Sequence, residues 1–176
     1  MLNINTLSSW STSRMSWLLL AGSAFILEII ALYFQYGMGL EPCVMCIYQR
    51  TAIFGVGLFA LIAAIKPHHP IYRVSGIVGV MITTVWGFNI AYEHVQMQNP
   101  DNFLLALSCE AFPNFPDWFA IHQWLPAIFE ARGTCDTIDW AFMTLSMPQW
   151  MLVIFSTYLL AVSVVVLAKL IKDKSL

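Results

Sequence analysis

The chain has 176 residues, of which 59% are hydrophobic and only 10% charged, with a mean hydropathy of +0.72. Soluble domains carry about 25% charged residues, so this composition excludes an ordinary soluble domain and indicates a membrane protein. The net charge of -2 and the lack of any basic cluster leave no electrostatic footprint for nucleic acid.

Residues 1–13 are rich in Ser, Thr and Asn and read as a loosely ordered lead. Four apolar segments follow, each near the roughly 20 residues that a spanning helix needs: Ser16–Tyr36, Ile47–Ile65, Ile71–Tyr92 and Trp150–Ile171. The first lacks a convincing small-residue cleavage site and precedes three more spans, so it is expected to be retained rather than removed as a signal peptide. Glu28 lies near its middle, where a carboxylate is expensive. With no cation visible at the same depth, a protonated Glu28 bonded to a neighbouring helix is preferred over a chemical role.

Gly37, Gly39 and Pro42 then break the helix and lead into Pro42-Cys43-Val44-Met45-Cys46-Ile47-Tyr48-Gln49-Arg50. A cysteine at a helix N-terminus feels the positive end of the macrodipole, which favours thiolate. Arg50 lies one helical turn beyond Cys46 and shares its face, placing a cation beside the thiol pair; the alternative is that Arg50 merely snorkels to headgroups. A disulfide closing so small a loop constrains little entropy, and strained disulfides are the exchangeable ones. The pair is therefore expected to be redox-active.

Spans two and three are joined by Lys66-Pro67-His68-His69-Pro70, whose prolines end one helix and open the next. At the far end of span three, Tyr92-Glu93-His94 places His94 at the depth of the thiol pair, where a cap or headgroup contact competes with a chemical role. The segment 93–149 is too long for a plain connector and holds Cys109 and Cys135. A bond between them would close a loop long enough to stabilise folded structure by a few kcal/mol; on the residues alone, staple and exchange site are equally good readings. Within this segment Trp118–Phe129 is aromatic and too broken to span. It reads either as an interfacial anchor for a loop with mobile cysteine ends or as a buried cap over the bundle. Met147-Pro148-Gln149-Trp150 opens span four.

Arg14, Lys66, Arg73, Lys169, Lys172 and Lys174, six of the eight cations, fall on one face of this topology. The positive-inside rule makes that face, with both termini, cytoplasmic, and segments 37–46 and 93–149 lie outside. All four cysteines share the outer, oxidising side, which favours disulfides. A zinc site built from the four thiolates is disfavoured, because the second pair lacks the short knuckle spacing; no metal is expected.

In order, Pro42-Cys43-x-x-Cys46-x-x-x-Arg50, Tyr92-Glu93-His94, Cys109, Cys135 and Met147-Pro148-Gln149-Trp150 closely resemble the bacterial disulfide bond formation protein B (DsbB) family, over roughly Arg14 to Ile171. The resemblance implies a single membrane domain over residues 1–176. It would be an all-α, four-transmembrane-helix bundle of the bacterial inner membrane, with a long periplasmic loop between helices 3 and 4. The implied activity is that of a protein dithiol:quinone oxidoreductase: it reoxidises a periplasmic DsbA-like thioredoxin-fold protein and passes two electrons to ubiquinone or menaquinone. On this basis Cys109, paired with Cys135, would receive the partner's thiol. Electrons would move to Cys43–Cys46, and Cys46 would reduce quinone with support from Arg50 and, more weakly, His94. A vitamin K epoxide reductase-like bundle carries its loop cysteines before the C-x-x-C rather than after it, so cysteine order disfavours that alternative. A non-enzymatic scaffold with two structural disulfides is disfavoured by the small Cys43–Cys46 loop. A paralogue serving a dedicated thioredoxin-like partner stays open.

Overall fold

The computed structural model describes residues 8–106, 109–110 and 112–173; Lys174 and residues 1–7 of the lead lie outside these. Four long helices account for the architecture: α1 (Arg14–Leu32), α2 (Val44–Ile65), α3 (Pro70–Met97) and α4 (Met147–Asp173). Each is long and apolar enough to cross a membrane, so the chain is a four-helix membrane protein with a long segment between α3 and α4. The helices run past the expected spans at the cysteine-bearing end. α2 starts at Val44, α3 continues to Met97 and α4 begins at Met147, because the polar residues there satisfy their backbone within the helix instead of unravelling.

Residues 8–13 depart from the expected loose lead. Ser8 and Ser11 are buried, and the Trp17 indole N–H donates to the Ser11 carbonyl at 2.9 Å. A tryptophan buried in helix α1 needs a partner for its N–H, and the lead supplies it.

α2 is the hub. It packs against α1 on one side and α3 on the other, while α3 carries α4. Without a hydrophobic drive between helices in lipid, small residues allow the backbones to approach, and α2 buries Ala52, Gly57, Ala60, Ala63 and Ala64 accordingly. Gly87 of α3 marks a close crossing of three helices. A β-carbon there would lie 2.3 Å from the Phe155 ring of α4 and 2.9 Å from Ala52 of α2. α1 and α4 touch only sparingly, linked by the Ser23 and Tyr158 hydroxyls at 2.9 Å. This leaves a slot between them towards the cysteine-bearing end.

The segment between α3 and α4 is folded onto the bundle. Single helical turns at Ile121–Trp124 and Pro126–Phe129 put Ile121 and Phe129 against Ile47 of α2, while Trp118, Trp124 and Leu125 face outward. The segment thus caps the bundle through Ile121 and Phe129. A two-residue hairpin, β1 (Ala141–Phe142) with β2 (Leu145–Ser146), leads into α4.

Candidate functional site at the cysteine-bearing end of the bundle

Pro42 cannot extend a helix backwards, so α2 begins immediately after Cys43, which takes the N-cap position in an extended conformation (φ -81°, ψ 173°). Its sulfur accepts the Cys46 backbone N–H at 3.3 Å, filling the role an oxygen fills in an ordinary N-cap. Both cysteines therefore sit on the positive end of α2. The Cys43 thiol in turn donates to Cys46 Sγ at 3.1 Å. That donated hydrogen bond, and then burial, hold the Cys43 thiol well above the ordinary cysteine range. Cys43 keeps its proton, and Cys46 is the accepting sulfur.

His94 of α3 closes the arrangement from the other side. It is only 3% exposed, with Nε2 3.6 Å from Cys43 Sγ and Nδ1 3.1 Å from Gln49 Nε2. It is a direct neighbour of the thiol pair rather than a headgroup contact.

Arg50, one turn below Cys46, is 7% exposed and does not snorkel. Its guanidinium donates to Gln35 Oε1 at 2.8 Å and to the Ile128 carbonyl, and its Nε lies 3.8 Å from Glu28 Oε2. This corrects one premise of the Glu28 reading: a cation does stand at its depth, Arg50, supplied by the next helix. At 3.8 Å the contact is an ion pair without a hydrogen bond, and Glu28 Oε2 is buried with no hydrogen-bond partner among the described residues. Gln35 reaches Arg50 from a π-helical turn, Tyr33–Gly37, that widens the end of α1, as such turns often do at functional sites.

The second pair lies directly above. Cys109 and Cys135 are joined as a disulfide, and Cys135 packs with Cys43 and Met97 in one apolar cluster that Cys46 and Cys109 flank. Cys135 is 1% exposed and Cys109 half-buried, so the cysteine ends of the loop are docked, contrary to the mobile ends expected. The backbone N–H groups of Arg132 and Gly133 both donate to the Pro42 carbonyl, at 2.9 and 3.0 Å, tying the Cys135 segment to the start of α2.

Below the sulfurs opens a cleft of about 280 Å³, whose apolar walls include Leu27 and Ile30 of α1, Phe34 of the turn that follows it, and Met151 and Ile154 of α4. Cys46, Arg50, Glu28 and His94 line its polar end. The sequence pattern singled out both cysteine pairs, Arg50 and His94, and the structure gathers them here. It missed Gln35 and Gln49, whose only signal is an uncharged polar side chain near the outer end of an apolar helix. It also missed Gly133, which nothing local distinguishes.

The comparisons agree with this geometry. The family described as "Disulfide bond formation protein DsbB" matches residues 13–165. The Disulfide bond formation protein B of Pseudoalteromonas translucida (strain TAC 125) is 45% identical over 174 residues, covering 98% of this chain and all of that protein. The protein of the same name from Vibrio cholerae is 45% identical over 170 residues, covering 96% of each chain. That of Yersinia pestis (strain Pestoides F) is 43% identical over 170 residues, 96% of this chain and 94% of the relative. With two cysteine pairs in one cluster at the end of a four-helix membrane bundle, and with near-full-length relatives, the chain belongs to the DsbB family of disulfide bond formation proteins and is a membrane-embedded oxidoreductase.

Proposed function

We propose that the protein is a dithiol:quinone oxidoreductase of the bacterial inner membrane. In this reading it reoxidises a DsbA-like periplasmic thioredoxin-fold protein and passes the two electrons to ubiquinone or menaquinone. The cysteines face the periplasm and both termini face the cytoplasm, in keeping with the charge bias of the loops, and residues 1–176 act as a single membrane domain. One observation carries the proposal: Cys46, Arg50 and His94 converge on an apolar cleft between α1 and α4, directly below a second cysteine pair.

The residues present suit a quinone. An apolar ring requires apolar walls reachable from lipid, which the sparse α1–α4 contact and the Leu27, Phe34, Met151 and Ile154 side chains supply. Its carbonyl oxygens require donors, and Arg50 and His94 stand at the polar end. When bound, quinone supplies a two-electron acceptor, matching the two electrons of one disulfide. A DsbA-type protein near −120 mV is itself a strong oxidant, and each 30 mV of deficit costs about 1.4 kcal/mol, so an acceptor from the membrane pool is thermodynamically apt.

The chain's own part follows from the geometry. Cys109 is the more accessible sulfur of its pair and receives the partner's thiolate; Cys135, packed on Cys43, is released towards it. The partner's second thiol then displaces Cys109 and the partner leaves as its disulfide. Exchange of the freed Cys109 and Cys135 thiols with the Cys43–Cys46 disulfide leaves Cys109–Cys135 oxidised and the first pair as dithiol, the arrangement described above. Cys43 holds its proton in a hydrogen bond donated to Cys46. Re-forming the Cys43–Cys46 disulfide releases the two electrons and the two thiol protons at Cys46, next to the cleft and one turn from Arg50. Arg50 orients and neutralises charge at the cleft, and His94 positions Cys43.

The test is quinone-dependent oxidation of a reduced thioredoxin-fold partner by the purified protein. Cys43→Ser and Cys46→Ser are expected to abolish it while leaving the protein folded and inserted. Retained quinone reduction in either variant refutes the assignment.

A further inference from the structure

We propose that the dithiol form of the Cys43–Cys46 pair, together with His94, is a binding site for a thiophilic divalent cation of the zinc class. The three ligating atoms, two sulfurs and one imidazole nitrogen, all lie within 4.8 Å of one another. Tetrahedral zinc with bonds of about 2.3 Å to sulfur and about 2.0 Å to nitrogen sets neighbouring ligand atoms about 3.8 Å (S to S) and about 3.6 Å (S to N) apart. Cys43 Sγ and His94 Nε2 already stand at 3.6 Å. The two sulfurs, at 3.1 Å, need to open by about 0.7 Å as the hydrogen bond between them is replaced.

Three further features favour the site. Gln49 lies 3.1 Å from His94 Nδ1, where an outer partner fixes the orientation of a ligating imidazole. Turning its amide to present oxygen to an Nδ1–H leaves the Nε2 lone pair free for the cation. Cys46 and His94 border the cleft, so a fourth position is open to water, as in zinc sites with three protein ligands. Two thiolates also neutralise the ion, which matters in so buried a place. The nearby guanidinium of Arg50 is engaged by Gln35, the Ile128 carbonyl and Glu28. A zinc centre of four thiolates is disfavoured by cysteine spacing. This donor set is a different one, since it uses neither Cys109 nor Cys135 and recruits a histidine 51 positions from Cys43.

Binding forms two metal–sulfur bonds and releases two thiol protons to solvent; no electron moves. Because a disulfide offers no thiolate, the site exists only in the reduced state. An ion there holds the pair reduced and withdraws it from exchange. The proposal rests on the redox reading only in requiring that the pair can be a dithiol, and its readout is metal occupancy rather than turnover.

The full chain in detergent, reduced and kept anoxic, is titrated with Zn²⁺ against a chromophoric chelator, and with Co²⁺ to observe thiolate-to-metal charge transfer. A Cys109→Ser/Cys135→Ser background restricts free thiols to the first pair. One equivalent is expected, lost on oxidation of that pair, with His94→Ala weakening binding by at least about 100-fold, beyond the 10- to 100-fold typical of outer-shell changes. The unaltered, fully reduced chain gives a second measure: Zn²⁺ is expected to shield Cys43 and Cys46 from alkylation, mapped by mass spectrometry. Absence of stoichiometric binding, equal affinity in His94→Ala, or shielding confined to Cys109 and Cys135 overturns the proposal.

Discussion

Gly133 donates its backbone N–H to the carbonyl of Pro42 at 3.0 Å, so the segment carrying Cys135 is hydrogen-bonded to the residue before Cys43. The approach is close enough that a β-carbon on Gly133 would lie 2.3 Å from the Glu41 carbonyl oxygen. Only glycine fits, because the obstacle is backbone and cannot rotate away. Gly133→Ala is expected to lift the loop from the start of α2 and slow exchange between the two pairs by about 10- to 100-fold, the scale of a misplacement near 1 Å. Rapid-quench trapping of thiol states would measure it. The apparent KM for quinone is expected to be unchanged, and an unaltered exchange rate removes the docking role.

Arg50 holds three partners with a planar fork that lysine cannot reproduce. Arg50→Ala is expected to raise the apparent KM for quinone by at least about 10-fold, and Arg50→Lys to recover only part of the loss. Steady-state kinetics with varied quinone would measure both. An unchanged quinone dependence in Arg50→Ala leaves the residue a purely structural cation.

Glu28 and Arg50 form a buried pair at 8% and 7% exposure. Removing one member of such a pair strands the other, at about 3–5 kcal/mol. Glu28→Gln is expected to lower thermal stability on that scale and to weaken quinone use alongside Arg50→Ala. In the double variant Glu28→Gln/Arg50→Met the stability is expected to return in large part, because no unpaired charge remains. Additive losses across the cycle would show that the two residues are not coupled.

Cys135 is buried against Cys43 while Cys109 is the accessible sulfur of the pair. In Cys135→Ser a mixed disulfide with the reduced partner is expected to accumulate at Cys109, and in Cys109→Ser it is not. Non-reducing electrophoresis with peptide mapping distinguishes the two, and the reverse pattern sinks the assignment of Cys109 as the receiving sulfur.

Much of this protein is legible along the chain, because its governing interactions are local or set by the solvent. Apolar runs of bilayer length must become helices, since no other short segment satisfies its backbone in lipid. Pro42 must end what precedes it, and Cys43 and Cys46 must then share the first turn of α2, with Arg50 a turn beyond. The two cysteine pairs, their common side and the redox class follow from that much. The site itself does not. Glu28 meets Arg50, His94 meets Cys43, and Gly133 meets Pro42 across separations that no helical period relates. Which faces of α1, α2 and α3 turn inward depends on how small residues such as Gly87 and Ala52 let the helices approach. Sequence alone determined that a thiol pair lies beside a cation at the membrane edge. Tertiary packing decided that the cation is buried and paired, and that a histidine completes a three-atom ligand set with the thiols. It also decided that a glycine ties the Cys109–Cys135 disulfide segment to the start of the helix bearing the thiol pair, because only a folded bundle brings those groups within reach of one another.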